Sequence, residues 1–435
     1  MEGRSTEVWR WMAFWMAVVV TGLGTGLATA ALMNLLYVVQ HTLWPGSGLD
    51  LLDAAARADW KRHLLVLLGA GLLTGAGQLL LGRLPNGNGI DVVTAISLYA
   101  GRLPALRSLG SAVLSVVVVG MGASLGREGA PKQAGAVIAN AASGRVGLSD
   151  DDRRLLVACG AGAGLAAAYG VPLGGAIFAL EVLRGQLALR FVLPALVTSL
   201  TATGVAWVFL PDVPTYAIPA YAGSLSVAAW ALIAGAVAGV VSALFVRAVA
   251  WASHHRPQGW RRVAAPVLAL AVLGAASIVF PQLLGNGRDI AALAFAGQVT
   301  PLLLLVLLPL RPAATLLCLS SGVPGGLFTP SLALGALLGG VLGYPWSLLW
   351  PGVPPGLFAV LGAAAVLAAT TQGPLSTVVL IIELTGQARS FILPLLIVVA
   401  VATLVARRFE TRSIYDARLS DAEAEERRRR RELKV

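Results

Sequence analysis

The feature that most constrains this chain is the recurrence of uncharged apolar runs long enough to cross a bilayer. A helix needs roughly 20 such residues to span about 30 Å of hydrocarbon. Residues 11–32, 64–81, 225–248, 263–280 and 390–405 are clear examples. A soluble chain of 435 residues would also carry about twice the 12% of charged residues found here. The expected fold class is therefore an all-α polytopic membrane protein. A single membrane domain is expected over 1–419, followed by a charged cytoplasmic tail over 420–435.

The first run follows Arg4 and Arg10 and has the look of a signal peptide. It is too long for an h-region and lacks an obvious small-residue cleavage site, so it is expected to stay as the first helix. The net charge of +11 is not read as nucleic-acid binding. Much of it lies in short loops and in the basic block 427–431, which the positive-inside rule assigns to the cytoplasm. The tail itself is expected to be a solvated or headgroup-contacting end. Cys159 and Cys318 form neither a disulfide framework nor a metal-spaced set. His41, His63, His254 and His255 lack acidic or thiol partners at ligand spacing, so they are read as interfacial, and no metal or other cofactor is expected.

Glycine and proline punctuate the apolar stretches. Broken helices at membrane depth survive only where protein buries them or where they line a wet cavity. An internal repeat sharpens this. Residues 161–181 and 363–383 share 8 identities in 21 positions without a gap, among them Pro172/Pro374, Leu173/Leu375 and Glu181/Glu383. Phe191 and Pro194 recur as Phe391 and Pro394, and Gly126, Pro131 and Ala134 recur as Gly325, Pro330 and Ala333. Two related halves, about 10–210 and 224–419, account for all three matches. Such repeats build transporters and some channels, with the site at their interface.

Three glycine-led segments precede helix-competent runs: Gly87-Asn88-Gly89-Ile90-Asp91, Gly126-Arg127-Glu128-Gly129-Ala130-Pro131 and Gly325-Gly326-Leu327-Phe328-Thr329-Pro330. A helix start offers unpaired N–H donors and a positive dipole end. Several starts converging at mid-membrane would hold an anion without a full counter-charge. The alternative is that they are ordinary helix starts in loops. Glu128 is an ionisable group inside the membrane and so a candidate for function; the plainer alternative is a carboxylate capping its own helix.

These segments, in this order and spacing, resemble the CLC family of chloride channels and chloride–proton transporters from Met12 to about Leu419. The segment at 87–91 is similar to the family's GSGIP, 126–129 to its G-(K/R)-E-G-P, and 325–330 to its G-x-F-x-P. Tyr415 stands where the family has an anion-coordinating tyrosine. The resemblance implies an inverted repeat of tilted, partly discontinuous helices, a homodimer with one pathway per subunit, and cytoplasmic termini in a bacterial plasma membrane. It makes Glu128 the gating glutamate and places Asn88, Gly89, Ile90, Arg127, Gly129, Leu327, Phe328 and Tyr415 around the anion. Arg127 is expected to add positive field rather than to touch the ion. The 20 residues after Tyr415 are expected to leave no room for the CBS pair of many eukaryotic relatives.

The chain departs from the family at three places. Asn88 replaces a serine, which opens fluoride as an alternative to chloride. Ala130 replaces a proline, with Pro131 next, so the helix start is either shifted by one residue or unchanged. Val182 replaces the second member of the glutamate pair that relays protons in exchangers, and valine carries no proton. Glu181, about 100° away round a helix, is a possible proton path. Passive conduction is therefore the main expectation and proton-coupled antiport the alternative. An intramembrane enzyme would need a nucleophile with its base, or an H-E-x-x-H pair, and the chain has neither.

Overall fold

A computed structural model describes residues 2–46, 50–84, 91–221, 223–387, 391–419 and 421–432. The first half comprises α1 (Glu2–Leu43), α2 (Leu51–Arg57), α3 (Trp60–Arg83), α4 (Val92–Leu98), α5 (Ala105–Gly120), α6 (Gly129–Arg145), α7 (Asp150–Tyr169), α8 (Pro172–Phe178) and α9 (Leu189–Trp207). The second comprises α10 (Leu225–His254), α11 (Arg261–Val279), α12 (Arg288–Phe295), α13 (Pro301–Ser321), α14 (Phe328–Leu349), α15 (Pro355–Thr371), α16 (Pro374–Thr385) and α17 (Ile392–Phe409), with α18 (Asp421–Glu432) in the tail. Among the described residues, eight helices are long and apolar enough to cross a membrane: α1, α3, α9, α10, α11, α13, α14 and α17. Each of the five clearest apolar runs falls largely within one of these spans. Shorter apolar helices fill the space between them.

The halves pack alike. Helix α6 lies on α7 as α14 lies on α15, and α1 lies on α9 as α10 lies on α17. Glycine makes the first of these contacts close. A Cβ on Gly135 would fall 2.0 Å from the Gly160 carbonyl oxygen, and one on Gly335 would fall 2.4 Å from that of Gly362. In lipid, helix association depends on such backbone approach rather than on expulsion of water.

The repeat is inverted, and the matched glutamates show it locally. Chain after α8 continues as one π-helical turn (Ala179–Arg184), where Glu181 accepts hydrogen bonds from Leu375 N (3.1 Å) and Ser376 N (2.7 Å), in the first turn of α16. Glu383, near the end of α16, accepts from Leu173 N (2.9 Å) and Gly174 N (2.6 Å), in the first turn of α8. Each helix is thus capped by the far end of the other, which requires them to run antiparallel. Four orphan donors are satisfied by two negative charges placed at positive dipole ends. This is where Glu181 lies: both of its oxygens are occupied by α16.

Two expectations need correction. His63 is buried rather than interfacial, with its ring nitrogens on Ser277 Oγ (2.7 Å) and the Ala55 carbonyl (3.0 Å), so it ties α3 to α11 and α2. The tail is not wholly solvated either. Arg427 of α18 is buried, pairs with Asp416 at 2.7 Å and donates to the Val182 (2.9 Å) and Leu183 (3.3 Å) carbonyls. The mutual caps give a test. Glu181→Ala or Glu383→Ala should each cost about 1–2 kcal/mol, read as a lower unfolding midpoint in detergent. An unchanged midpoint in both would mean that the caps do not hold the two halves together.

Candidate functional site

The candidate site is organised around two helix starts from different halves. The chain before α6 meets the chain before α14 in a two-residue antiparallel bridge. Gly126 N–H donates to the Gly326 carbonyl and Gly326 N–H to that of Gly126, both at 2.8 Å. Otherwise unpaired backbone at membrane depth is thereby satisfied. Helix α6 begins at Gly129 directly after Glu128, so Ala130 has not shifted the start, and Pro131 sits in the first turn, where no intrahelical N–H is needed.

Glu128 is fully buried and makes no side-chain cap on α6. Its carboxylate crosses to the other half. Oε1 accepts from Phe328 N at 2.7 Å, and Oε2 from Thr329 Oγ1 at 3.3 Å and Tyr169 OH at 3.4 Å. Tyr169 OH and Thr329 Oγ1 also lie 2.6 Å apart. The carboxyl group therefore sits on the first N–H of the 22-residue α14, with the dipole end and two hydroxyls in place of a salt-bridge partner. This disposes of the reading in which Glu128 merely caps its own helix. The two glycines make the room: a Cβ would fall 1.9 Å from Oε1 at position 326 and 2.2 Å from it at position 126.

The remaining expected residues distribute around this carboxylate. Leu327 and Phe328 are buried at the α14 start, and Gly129 faces Gly326, its Cβ position 3.1 Å from Gly326 N. Arg127 is buried with its guanidinium 5.0 Å from the Tyr169 ring centre, and it lines a small cavity with Tyr37, Gln40, Arg288 and Asp289. Tyr415 is buried further along. An aromatic series leads to it, with ring centres 5.9 Å apart for Tyr169–Phe328, 6.3 Å for Phe328–Phe178 and 5.9 Å for Phe178–Tyr415. The loop carrying Tyr415 is fixed by Ile414 N, which donates to the Thr370 carbonyl at the end of α15 (2.7 Å).

Asn88, Gly89 and Ile90 lie outside the described residues. Asp91, which follows them, caps α4 through Val93 N (2.9 Å) and Thr94 N (3.0 Å). Tyr169 and Thr329 were missed as site residues. Thr329 stands inside a recognised segment, and Tyr169 is the one aromatic hydroxyl ending an alanine- and glycine-rich helix, a signal that was there to be used. Val182, by contrast, is buried and apolar.

The site can do one kind of chemistry. A carboxylate occupies the positive end of α14, where backbone N–H groups and the helix dipole suit a small anion. Gly326→Ala tests the fit: a methyl at Oε1 must expel the side chain, so an electron-microscopy map of the variant should show Glu128 displaced from Phe328 N–H by about 2 Å or more, beyond hydrogen-bond reach. An unmoved carboxylate would refute the packing described.

Comparison with known proteins identifies the family and the fold. The family model for voltage gated chloride channels matches residues 70–407. A putative chloride channel protein, ClcB-like, from Ralstonia nicotianae is 32% identical over 413 residues, 91% of this chain and 94% of that protein. The H(+)/Cl(-) exchange transporter ClcA of Vibrio parahaemolyticus is 32% identical over 308 residues, 68% of this chain and 66% of the relative. Among solved structures, a slow cyanobacterial Cl-/H+ antiporter superposes with a TM-score of 0.81 at 25% identity, covering 93% of this chain and 96% of that one. A CLC-type fluoride/proton antiporter has the same fold, with a TM-score of 0.76 at 23% identity, covering 94% and 98%. The chain is a multi-pass membrane transporter of inorganic anions, not an enzyme, and it belongs to the CLC family.

Proposed function

We propose that this chain exchanges chloride for protons, with Glu128 as the carboxylate for which anion and proton compete. The observation that carries the reading is the Glu128 carboxylate on Phe328 N–H, an anionic group occupying a helix start suited to a free anion. The expectation of a passive channel gives way for two reasons. The H(+)/Cl(-) exchange transporters and the cyanobacterial Cl-/H+ antiporter are similar to this chain over most of its length. Val182 removes one proton carrier, but Glu128 itself is protonatable and central. Chloride is favoured over fluoride because Phe328 and Tyr415 are retained in the chloride-like arrangement, with Tyr415 offering a hydroxyl donor.

The passive channel is the second reading, and the buried Val182 is the observation that favours it. Glu181 offers no ready substitute while both of its oxygens hold the start of α16. In this proposal the termini face the cytoplasm, as the basic tail suggests. The protein forms a homodimer through the α8 and α16 surfaces, where Leu173 and Leu375 are exposed.

The test is purified protein in liposomes with anion and proton fluxes recorded together. A chloride gradient should drive protons uphill. Glu128→Gln, whose carboxamide cannot carry a proton, should keep chloride flux while proton flux falls by about 100-fold or more. Chloride flux without proton movement in the unmodified protein would make it a channel. Faster fluoride than chloride flux would reassign the anion, and no halide flux at all would overturn the transport reading.

A further inference from the structure

Helix α6 carries a second charge that the mechanism above does not use. Lys132 lies one turn beyond Glu128, at the i,i+4 spacing that places two side chains on the same helix face. Opposite charges at this spacing ordinarily pair. Here they are held apart. Glu128 turns to the start of α14, whereas the Lys132 ammonium lies 3.4 Å from the Tyr415 hydroxyl and 4.4 Å from its ring centre, with the Phe178 ring centre at 5.7 Å.

Lys132 is only 8% exposed, and among the described residues no carboxylate lies within ion-pair distance of it. The acids acting on it at longer range are Glu128 and Asp91, and Arg418 is the like charge nearby. A buried ammonium has three N–H donors to satisfy and a desolvation cost that one hydroxyl and two ring faces offset only in part.

We infer that Lys132 is a direct ligand of the transported anion, binding it between Tyr415 and the Glu128 position and thereby setting anion selectivity. The inference rests on the reading of the chain as an anion transporter. The rings of Phe328, Phe178 and Tyr415 form a contact series between the two positions, and the ammonium lies against the last two of them. An ammonium is a compact point charge, unlike the spread partial charges of hydroxyl and amide donors. It therefore favours small, charge-dense halides over large, weakly hydrated anions such as thiocyanate.

The experiment compares the unmodified protein with Lys132→Met, Lys132→Gln and Lys132→Arg. Chloride binding is measured by calorimetry in detergent, and thiocyanate and chloride fluxes are measured in liposomes. The neutral variants should bind chloride roughly 10- to 100-fold more weakly, the loss expected of a charged hydrogen-bond donor. Their thiocyanate-to-chloride flux ratio should rise at least about fivefold, with Lys132→Arg intermediate because its guanidinium spreads the charge. If both neutral variants fail to fold, Lys132→Arg alone decides: a flux ratio equal to that of the unmodified protein overturns the assignment. Folded neutral variants with unchanged chloride affinity and flux ratio overturn it as well. Unmodified protein that moves no halide would instead overturn the transport reading beneath it, before any variant is compared.

Discussion

The pair of hydrogen bonds between Gly126 and Gly326 is the constraint on which the rest of the site depends. Each half of the repeat brings a helix start into the buried interior, where an unpaired N–H or carbonyl costs on the order of several kcal/mol. The bridge lets the chain before each start satisfy the other. It also draws the starts of α6 and α14 together, so two positive dipole ends converge. The same demand explains the glycines at both positions, because the strand of each half is also the floor on which the Glu128 carboxylate rests. The close contacts of α6 on α7 and of α14 on α15 then hold the two starts rigidly in place.

Against this symmetric backbone the charges are arranged both symmetrically and asymmetrically. Glu181 and Glu383 are repeat partners and do the same work, each capping the other's helix. They sit at the outer contact of the halves and lock it. Glu128 has no such partner: the offset that pairs Gly126 with Gly325 pairs Glu128 with Leu327 and Lys132 with Ser331. The one carboxylate of the site crosses from its own half to the helix start of the other. A duplicated scaffold thus supplies two equivalent helix starts, and a single acidic side chain makes them inequivalent. In the proposed function that inequivalence lets one helix start be held by a carboxylate and leaves the other without one.

Much of this was legible in the sequence, because the governing signals are local. Hydrocarbon thickness writes itself as apolar runs, and all five of the clearest became spans. The need for a helix to start at mid-membrane writes itself as Gly126-Arg127-Glu128-Gly129 and Gly325-Gly326-Leu327-Phe328, and the repeat places these in register. What stayed hidden depends on partners far away in sequence. His63 reads as an interfacial histidine until Ser277 and Ala55 close on it. Arg427 reads as one of a solvated basic block until Asp416 and the carbonyl ends of the π-helical turn receive it. Tyr169 needs Thr329, 160 residues away, before its hydroxyl has any meaning. The proposed proton coupling leaves no such local mark, since Val182 carries no proton.

In the proposed exchange, coupling and selectivity separate physically along α6. At the α14 start the competition is exclusive: Oε1 of Glu128 and an anion both need Phe328 N–H, so one leaves as the other enters. Protonation weakens the carboxylate's hold because a neutral group gains less from the dipole end and its donors. One turn along, Lys132 has no carboxylate within ion-pair distance among the described residues, so in the inferred arrangement an anion held there is stabilised whichever state Glu128 adopts. The first position then determines how anion movement is tied to protons, and the second determines which anion is admitted. The two groups share a helix face yet stay unpaired, and that separation keeps the ammonium from simply neutralising the gate.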